Sequence, residues 1–318
     1  MSKIRTVKSY LRKIPYMKRL AFIVRKYFLF VYKGFKFKNH RAYLEKKIKT
    51  NDFLPKIIHV ETRSMCNGSC SFCAAAVQFK TRPDILMSDQ RIEKIINELS
   101  EYNYSNRLSF YSNNDPYVDK RIFDLIQMAR KKLPNAFLEL KTNGMTLNWD
   151  KVVKSFDNGL DYLHITDYLK DIAGPHRKNI AEIVNLVSKT RRFQGEYGSK
   201  VGDTRLKITK RYVGEVLRTR AGSAPNAPVL KKALNKPCYR PVEMMTIDPS
   251  GKVGICSEDV TFRETMGDIN KSTIKEIWTS DEYKELRRQL HNGNRDFKKT
   301  CAGCDYSGSS VEFATNIE

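Results

Sequence analysis

Three cysteines stand within eight residues, Cys66, Cys70 and Cys73 in "ETRSMCNGSCSFCAAA" (61–76). As thiolates they are soft metal ligands. Three are one short of the four that a closed zinc site takes. They can also hold three irons of a [4Fe–4S] cube, whose usual complement is four cysteines, and the remaining iron is then open to a small molecule. Softness alone admits either metal. Far downstream stand Cys238, Cys256, Cys301 and Cys304, the last two as "CAGC". Four thiols complete a site by themselves, either structural zinc or a fully ligated cluster. The two sets account for all seven cysteines. Seven is an odd number, and clustering of this kind reads as metal-binding thiols in a reducing, cytoplasmic setting rather than as disulfides.

The elements that must position these thiols alternate in type. "KIIHVET" reads as a strand that ends at the first cysteine loop. "SDQRIEKIINELSEY" (88–102) has a Ser N-cap and helical spacing. Strands over 107–112, 136–144, 160–167 and 205–213 alternate with helices over 120–133, 149–159 and 179–193. This alternation predicts a parallel sheet with its chemistry at the carboxyl ends of the strands. There the cysteine loop, "SNNDP", "TNG" and "ITD" would meet. Residues 218–237 read as a linker or irregular wrap. "VEMMTIDPSGKVGIC" reads as a hairpin, and 272–293 as a helix that stops at Gly293.

The charge is lopsided. The formal net charge is +23, with 58 basic and 35 acidic residues, and Glu45 is the first acid in the chain. The excess therefore belongs mostly to residues 1–50, where aromatic and apolar residues are interleaved with the basic ones. Such a segment suits a peripheral contact with an anionic membrane. It also suits a helical layer on a catalytic domain. No nucleic-acid module follows it. The apolar runs at 20–24 and 27–32 are too short to span a bilayer, and no secretory signal is evident.

The loop "CNGSCSFC" is C-x3-C-x2-C with Phe72 directly before the last cysteine, and it follows the first strand. With the preceding "ETRSM" it resembles the cluster loop of the radical S-adenosylmethionine (SAM) superfamily. The resemblance implies an α/β fold: a partial (β/α)6 TIM-like barrel with a basic N-terminal helical extension and a small C-terminal cluster-binding α+β region. It implies that Cys66, Cys70 and Cys73 hold a [4Fe–4S] cluster whose fourth iron is chelated by SAM. An electron from a donor such as flavodoxin or ferredoxin then cleaves SAM to a 5′-deoxyadenosyl radical, which takes a hydrogen atom from the substrate. Phe72 would lie near the adenine. Asn113, Asn114 and Asp115 would stand where the family has a Gly-Gly-Glu-Pro-like stretch, and Thr166 and Arg211 would reach the ribose or carboxylate.

The stretch from "CYRP" through "IDPSGKVGICSED", "MGDIN" and "IKEIW" to "CAGC" resembles the SPASM/twitch region of the same superfamily. Full SPASM regions hold two auxiliary clusters. The four cysteines here imply one, an auxiliary [4Fe–4S] cluster with no open iron. The implied organisation is 1–50 extension, 51–235 barrel and 236–318 auxiliary domain. A fully ligated cluster could take an electron from a substrate radical, as in a dehydrogenation. It could also serve structure or electron delivery in an epimerisation, elimination or crosslink. No eighth cysteine is left to return a hydrogen atom, as an epimerase often needs. The expected substrate is a small or carbohydrate-like molecule, phosphate- or lipid-linked forms included. The competing readings are a peptide-modifying maturase and a zinc-stabilised basic binding protein.

Overall fold

The computed structural model describes residues 42–78, 83–190, 192–193, 205–216 and 218–308. The chain forms two compact units, Met1–Thr50 and Asn51–Glu318. In the first, residues 42–50 are helical. The basic segment over 1–41 lies outside the described residues, and with it most of the expected membrane-facing extension.

The second unit is built on one eight-stranded sheet. The strands are β1 (Ile57–Val60), β2 (Arg107–Ser109), β3 (Phe137–Thr142), β4 (Tyr162–Leu169), β5 (Arg205–Tyr212), β6 (Met244–Ile247), β7 (Lys252–Gly254) and β8 (Thr265–Asp268). Their order is β5-β4-β3-β2-β1-β6-β7-β8. The strands β1 to β5 pair in parallel with their neighbours. Helices over Ala74–Gln78 (α1), Asp89–Glu101 (α2), Ile122–Lys132 (α3), Trp149–Asp157 (α4) and Lys178–Ser188 (α5) make the connections. In α2, Ile92, Ile95, Ile96 and Leu99 are buried, the spacing that lays one helical face on a sheet. Each such side chain contributes about 1.5–3 kcal/mol. The Ser88 hydroxyl caps the helix by accepting from Arg91 N, as its sequence predicts.

The hairpin expected at 242–256 forms from β6 and β7, but β6 also pairs in parallel with β1, Ile57 beside Met244 and Val60 beside Ile247. It is therefore the sixth parallel strand, so the auxiliary region and the barrel share one sheet. All four residues of β1 are buried, as for a strand covered on both edges and both faces.

The helix expected over 272–293 is two helices, α7 (Ile274–Thr279) and α8 (Asp281–His291). Ser280 is extended (φ −59°, ψ 156°), and its side chain starts α8 by accepting from Tyr283 N. A serine that finds a cap partner competes with helix continuation. On α8, Arg287 is fully buried, 4.2 Å from the Trp278 ring, and it donates to Pro241 O at 2.9 Å. This ties the helix pair to α6 (Arg240–Glu243). Residues 218–237 carry no helix or strand, but they are more than a linker. Thr219 Oγ1 donates to Gly303 O at 2.9 Å, which binds this segment to "CAGC" and to the short helix α9 (Lys299–Ala302).

Candidate active site

The first cysteine loop starts where β1 ends. Glu61 N donates to Ile247 O at 2.9 Å and Met87 N to Thr62 O at 2.8 Å, so the loop leaves the sheet braced on both sides. Cys73 N donates to Cys70 O at 3.0 Å, and Gly68 N points at Cys66 Sγ at 3.4 Å. A Cβ on Gly68 would lie 3.6 Å from Cys70 Sγ and 3.7 Å from Cys66 Sγ, so this glycine keeps the ground between two thiols clear. Burial pushes the Cys66 thiol up to about 12 and Cys70 also upward. A buried thiol becomes a thiolate when a cationic metal compensates it. The loop therefore fits a cluster.

Asp115 lies beside this loop at the end of β2. It is buried, and its carboxylate accepts from Tyr117 N, Thr142 Oγ1 and Asn143 N at 3.0, 2.7 and 2.9 Å. All these partners are protein groups, so Asp115 acts by fixing the end of β3 to "SNNDP". Asn143, thus held, directs its Nδ2 to Asn67 Oδ1 at 2.8 Å and to Cys66 Sγ at 3.6 Å. Arg177 donates to Asp167 Oδ1 and to Asn143 O, each at 2.5 Å. Burial works against the charge on Asp167, but bonds from Arg177 and His176 outweigh it and hold the carboxyl below its ordinary value.

The other expected contacts divide. Phe72 is buried with its ring 5.1 Å from that of Tyr168. Asn113 Oδ1 accepts from Arg220 Nη2 at 3.0 Å, and Asn114 Oδ1 accepts from Ser112 N at 3.1 Å. The Nδ2 groups of both asparagines and the Ser112 hydroxyl are buried with no partner. Buried donors of this kind call for a ligand or water, which suits the polar groups of SAM. Thr166 and Arg211 share an inward face, Thr166 level with Thr209 and Tyr168 with Arg211. Arg211 is bound to Glu215, Nε to Oε1 at 2.7 Å. Asn67 and Asn143 belong to the cysteine loop and to "TNG", both expected at the site, while Arg177, at the start of α5, carries no sequence signal of its place beside them.

A cavity of about 670 Å³ is lined by residues of β1 to β5 together with Arg220, Arg240 and Glu258. One row across the strands runs His59, Ser109, Glu139, Tyr162, Arg205. The next runs Lys141, His164, Lys207. Burial lowers His59 to about 3, so its ring is neutral. A neutral ring 3.1 Å from Tyr111 O donates from Nδ1 and keeps its lone pair on Nε2. Burial opposes ionisation of Glu139, but the charges of Lys141 and Arg107 outweigh it and bring it down to about 2. Arg220 and Ala221 both adopt left-handed backbone, φ 48° and 54°, which costs about 1–2 kcal/mol for each non-glycine residue. The strained Arg220 lines the cavity and donates to Ser257 O at 2.6 Å.

The second cysteine set lines a narrow pocket of its own, about 20 Å³ in volume. Cys238, Cys256, Cys301 and Cys304 all face it, joined by Leu290, Ile255 and Tyr306. Burial raises Cys304 to about 11 and drives Cys256 and Cys301 further up. Among the described residues, no three His, Cys, Asp or Glu side chains are grouped to hold a single metal ion. Four thiolates on one zinc would each have to come within about 2.3 Å of the same point. A cube gives each thiolate its own iron and lets the four stand further apart, and the four buried thiols facing one pocket suit such a group. Arg240 and Glu258 line both this pocket and the large cavity, so the two spaces share a wall. Arg240 Nη2 lies 3.3 Å from Glu258 Oε1, and its guanidinium lies 4.0 Å from the Tyr306 ring.

Comparison with known proteins agrees. Residues 60–188 match the radical SAM superfamily, and residues 238–305 match the SPASM iron–sulfur cluster-binding domain. The chain is 26% identical over 257 residues to the S-adenosyl-L-methionine-dependent 2-deoxy-scyllo-inosamine dehydrogenase of Niallia circulans, covering 80% of this chain and 94% of that protein. Among solved structures, BtrN in complex with AdoMet and 2-DOIA superposes with a TM-score of 0.65 at 24% identity, covering 80% of this chain and 94% of that one. SuiB of Streptococcus suis bound to the precursor peptide SuiA gives 0.54 at 14% identity, covering 85% and 76%. These two structures speak for the fold, and the two family matches fall on the two cysteine sets. The chain belongs to the radical SAM superfamily and carries a SPASM domain whose strands continue the same sheet.

Proposed function

We propose that this radical SAM enzyme is a dehydrogenase of a carbohydrate-like substrate, oxidising a carbinol carbon to a carbonyl. The observation that carries the reading is the shared wall: Arg240 and Glu258 face both the large cavity and the four-cysteine pocket. When bound, SAM and its cluster supply a hydrogen-abstracting radical, and the auxiliary cluster supplies an electron sink. The residues of the chain do the rest. Cys66, Cys70 and Cys73 hold the first cluster, and the other four cysteines hold the second. His59 Nε2 accepts a hydrogen bond from a substrate hydroxyl, its other nitrogen being committed to Tyr111 O. Buried Glu258 stays ionised because Arg220, Arg240 and Arg218 outweigh its desolvation, which leaves it an acceptor for the hydroxyl proton. The cavity, about 670 Å³, is of the size that small ligands fill, which favours a small substrate over a peptide. The proposed organisation is 1–50 extension, 51–235 barrel and 236–318 auxiliary domain.

Anaerobic reconstitution tests this reading. It should give about eight irons per chain, two cubes. Reduced flavodoxin or ferredoxin should drive 5′-deoxyadenosine formation that rises with the right carbohydrate, and the product should have lost two hydrogens. Cys256→Ala should lose about half the iron and keep SAM binding at the first loop. Wild-type iron content in that variant would show that the four cysteines do not hold a cluster.

The basic residues 1–50 extend the proposal to a peripheral contact with an anionic membrane. Among the described residues, no helix is long and apolar enough to cross a membrane. Flotation with anionic vesicles should retain the full chain and lose it when residues 1–50 are deleted. Equal flotation of both chains refutes the contact.

A further inference from the structure

The four-cysteine pocket is walled in part by two donors that have no acceptor. Thr300, Arg240, Arg295 and Glu258 line it beside Cys238, Cys256, Cys301 and Cys304. Thr300 is 2% exposed. Its backbone N–H is spent on Glu264 Oε2 at 2.8 Å, but its hydroxyl is buried without a partner. Arg240 is 8% exposed. Its Nη1 donates to Ser257 Oγ at 2.7 Å, and its Nη2 lies 3.3 Å from Glu258 Oε1. Its Nε is buried without a partner. Glu258 Oε2, also without a hydrogen bond, faces Arg220 at 3.5 Å and so takes neither donor. A buried donor left unsatisfied costs about 1–3 kcal/mol, and two on the wall of one narrow pocket call for an acceptor inside it. The sulfurs of a cluster held by the four cysteines are such acceptors. Arg295 adds a charge to the same wall. It is fully enclosed, and its guanidinium donates to the carbonyls of Lys236, Pro237, Cys304 and Tyr306, which are neutral groups.

These groups bear on the electron. Reduction adds a negative charge to a cluster already anionic with its thiolates, and burial penalises the more highly charged form. A dry pocket alone would therefore lower the potential and make a poor acceptor. Hydrogen bonds to the sulfurs and nearby positive charge act the other way. We propose that the Thr300 hydroxyl and Arg240 Nε donate to sulfurs of the auxiliary cluster and raise its reduction potential, which suits it to receive an electron from the substrate radical. This rests on the dehydrogenase reading and names positioning residues for its second half. In the step they serve, the carbinol radical gives one electron to the oxidised cluster and its hydroxyl proton to Glu258, and the carbon–oxygen bond becomes a carbonyl. That electron matches the one spent in cleaving SAM, and flavodoxin or ferredoxin takes it back.

The test is a potentiometric titration of the anaerobically reconstituted full chain with SAM bound, followed by electron paramagnetic resonance. The signal that SAM leaves unaltered belongs to the auxiliary cluster, and Cys256→Ala should lack it. Thr300→Val removes the hydroxyl and keeps the shape. It should lower the equilibrium constant for reduction of that cluster about tenfold, the loss of one hydrogen bond to a charged group. For one electron this is a midpoint lower by about 59 mV. Thr300→Ser keeps the hydroxyl and should keep the wild-type midpoint. Arg240→Met removes a donor together with a charge and should lower the midpoint at least as far as Thr300→Val. The first cluster should hold its midpoint in all three. Iron content identifies a variant that has lost the second cluster, and the other position then decides. With iron at the wild-type level, an unchanged midpoint in Thr300→Val or in Arg240→Met overturns the proposal. An equal fall in Thr300→Ser and Thr300→Val, or a shift shared by both clusters, also overturns it. The two readings fail separately. If a carbohydrate loses two hydrogens and the midpoints do not move, the dehydrogenase stands and the tuning falls. If the midpoints move as expected and no carbohydrate loses two hydrogens, the dehydrogenase falls.

Discussion

His59 has one ring nitrogen committed to Tyr111 O and the other left for the cavity. The same burial that fixes this arrangement makes the fold sensitive to acid. In the unfolded chain the ring takes a proton as pH falls through about 6.5. In the folded chain it stays neutral down to about 3. The unfolded state therefore binds more protons in that window. The contribution of His59 is fully present above about pH 6.5 and declines as pH falls toward 3, by at most about 1.4 kcal/mol per pH unit. Glu139 is lowered to about 2 from 4.5, so its own loss begins only as pH falls through about 4.5, in the lower part of that window. Urea unfolding of the holoenzyme between about pH 5 and 6.5 thus isolates the histidine. His59→Gln, which can still donate to Tyr111 O, should flatten the slope. An acid limb as steep as that of the wild type in this variant would show that His59 is not buried neutral.

Gly144 ends β3 in the left-handed region, φ +69°, with Ile165 and Ile180 pressed against it. An alanine there would put its Cβ 2.7 Å from Ile165 Cγ2 and 2.8 Å from Ile180 Cδ1. Gly144→Ala should cost about 1 kcal/mol in backbone strain and about 1–3 kcal/mol in overpacking. Differential scanning calorimetry should show a melting point lower by about 2 °C or more per kcal/mol lost. Because Asn143 precedes it and reaches Cys66, iron at the first site should fall as well. A melting point within about 1 °C of wild type would mean that the turn has room to relax. The turn residues, the caps and the alternation of strands with helices were legible because each is written locally: Ser88 before α2, "TNG" after β3, Gly159 after α4. Both cysteine sets were legible from spacing. The pairing of β6 with β1 was not, since "VEMMTIDPSGKVGIC" satisfies a local hairpin and says nothing of a parallel neighbour far back in the chain. The charged lining of the cavity left a signal that was passed over. "FLELKT" and "RLKITKRY" place Glu139, Lys141, Arg205 and Lys207 at alternate positions of strands that a parallel sheet should bury. Contacts such as Asn143 to Cys66 depend on loop geometry, which no period encodes.

At the scale of the whole catalytic unit, one strand joins the two cysteine regions. The strand β1 leads into the Cys66 loop on its own chain and takes β6, which starts just after Cys238, as its edge partner. A chain ended at residue 235 would keep five parallel strands and lose that partner. It should be insoluble, or soluble only as aggregates, because β1 would present an apolar edge with unpaired backbone groups. Size-exclusion chromatography checks this, and a monomeric, cooperatively unfolding 1–235 fragment would contradict it. The same pairing sets an order of events during synthesis. Ile57 emerges early and Met244 late, so β1 must wait with one side open while most of the sheet is made. Non-local closures of this kind are entropically costly and slow. Cofactor insertion at the first loop is then tied to completion of the second region, and a ribosome still translating the linker holds a chain that has all of its radical-generating cysteines but no finished floor beneath them.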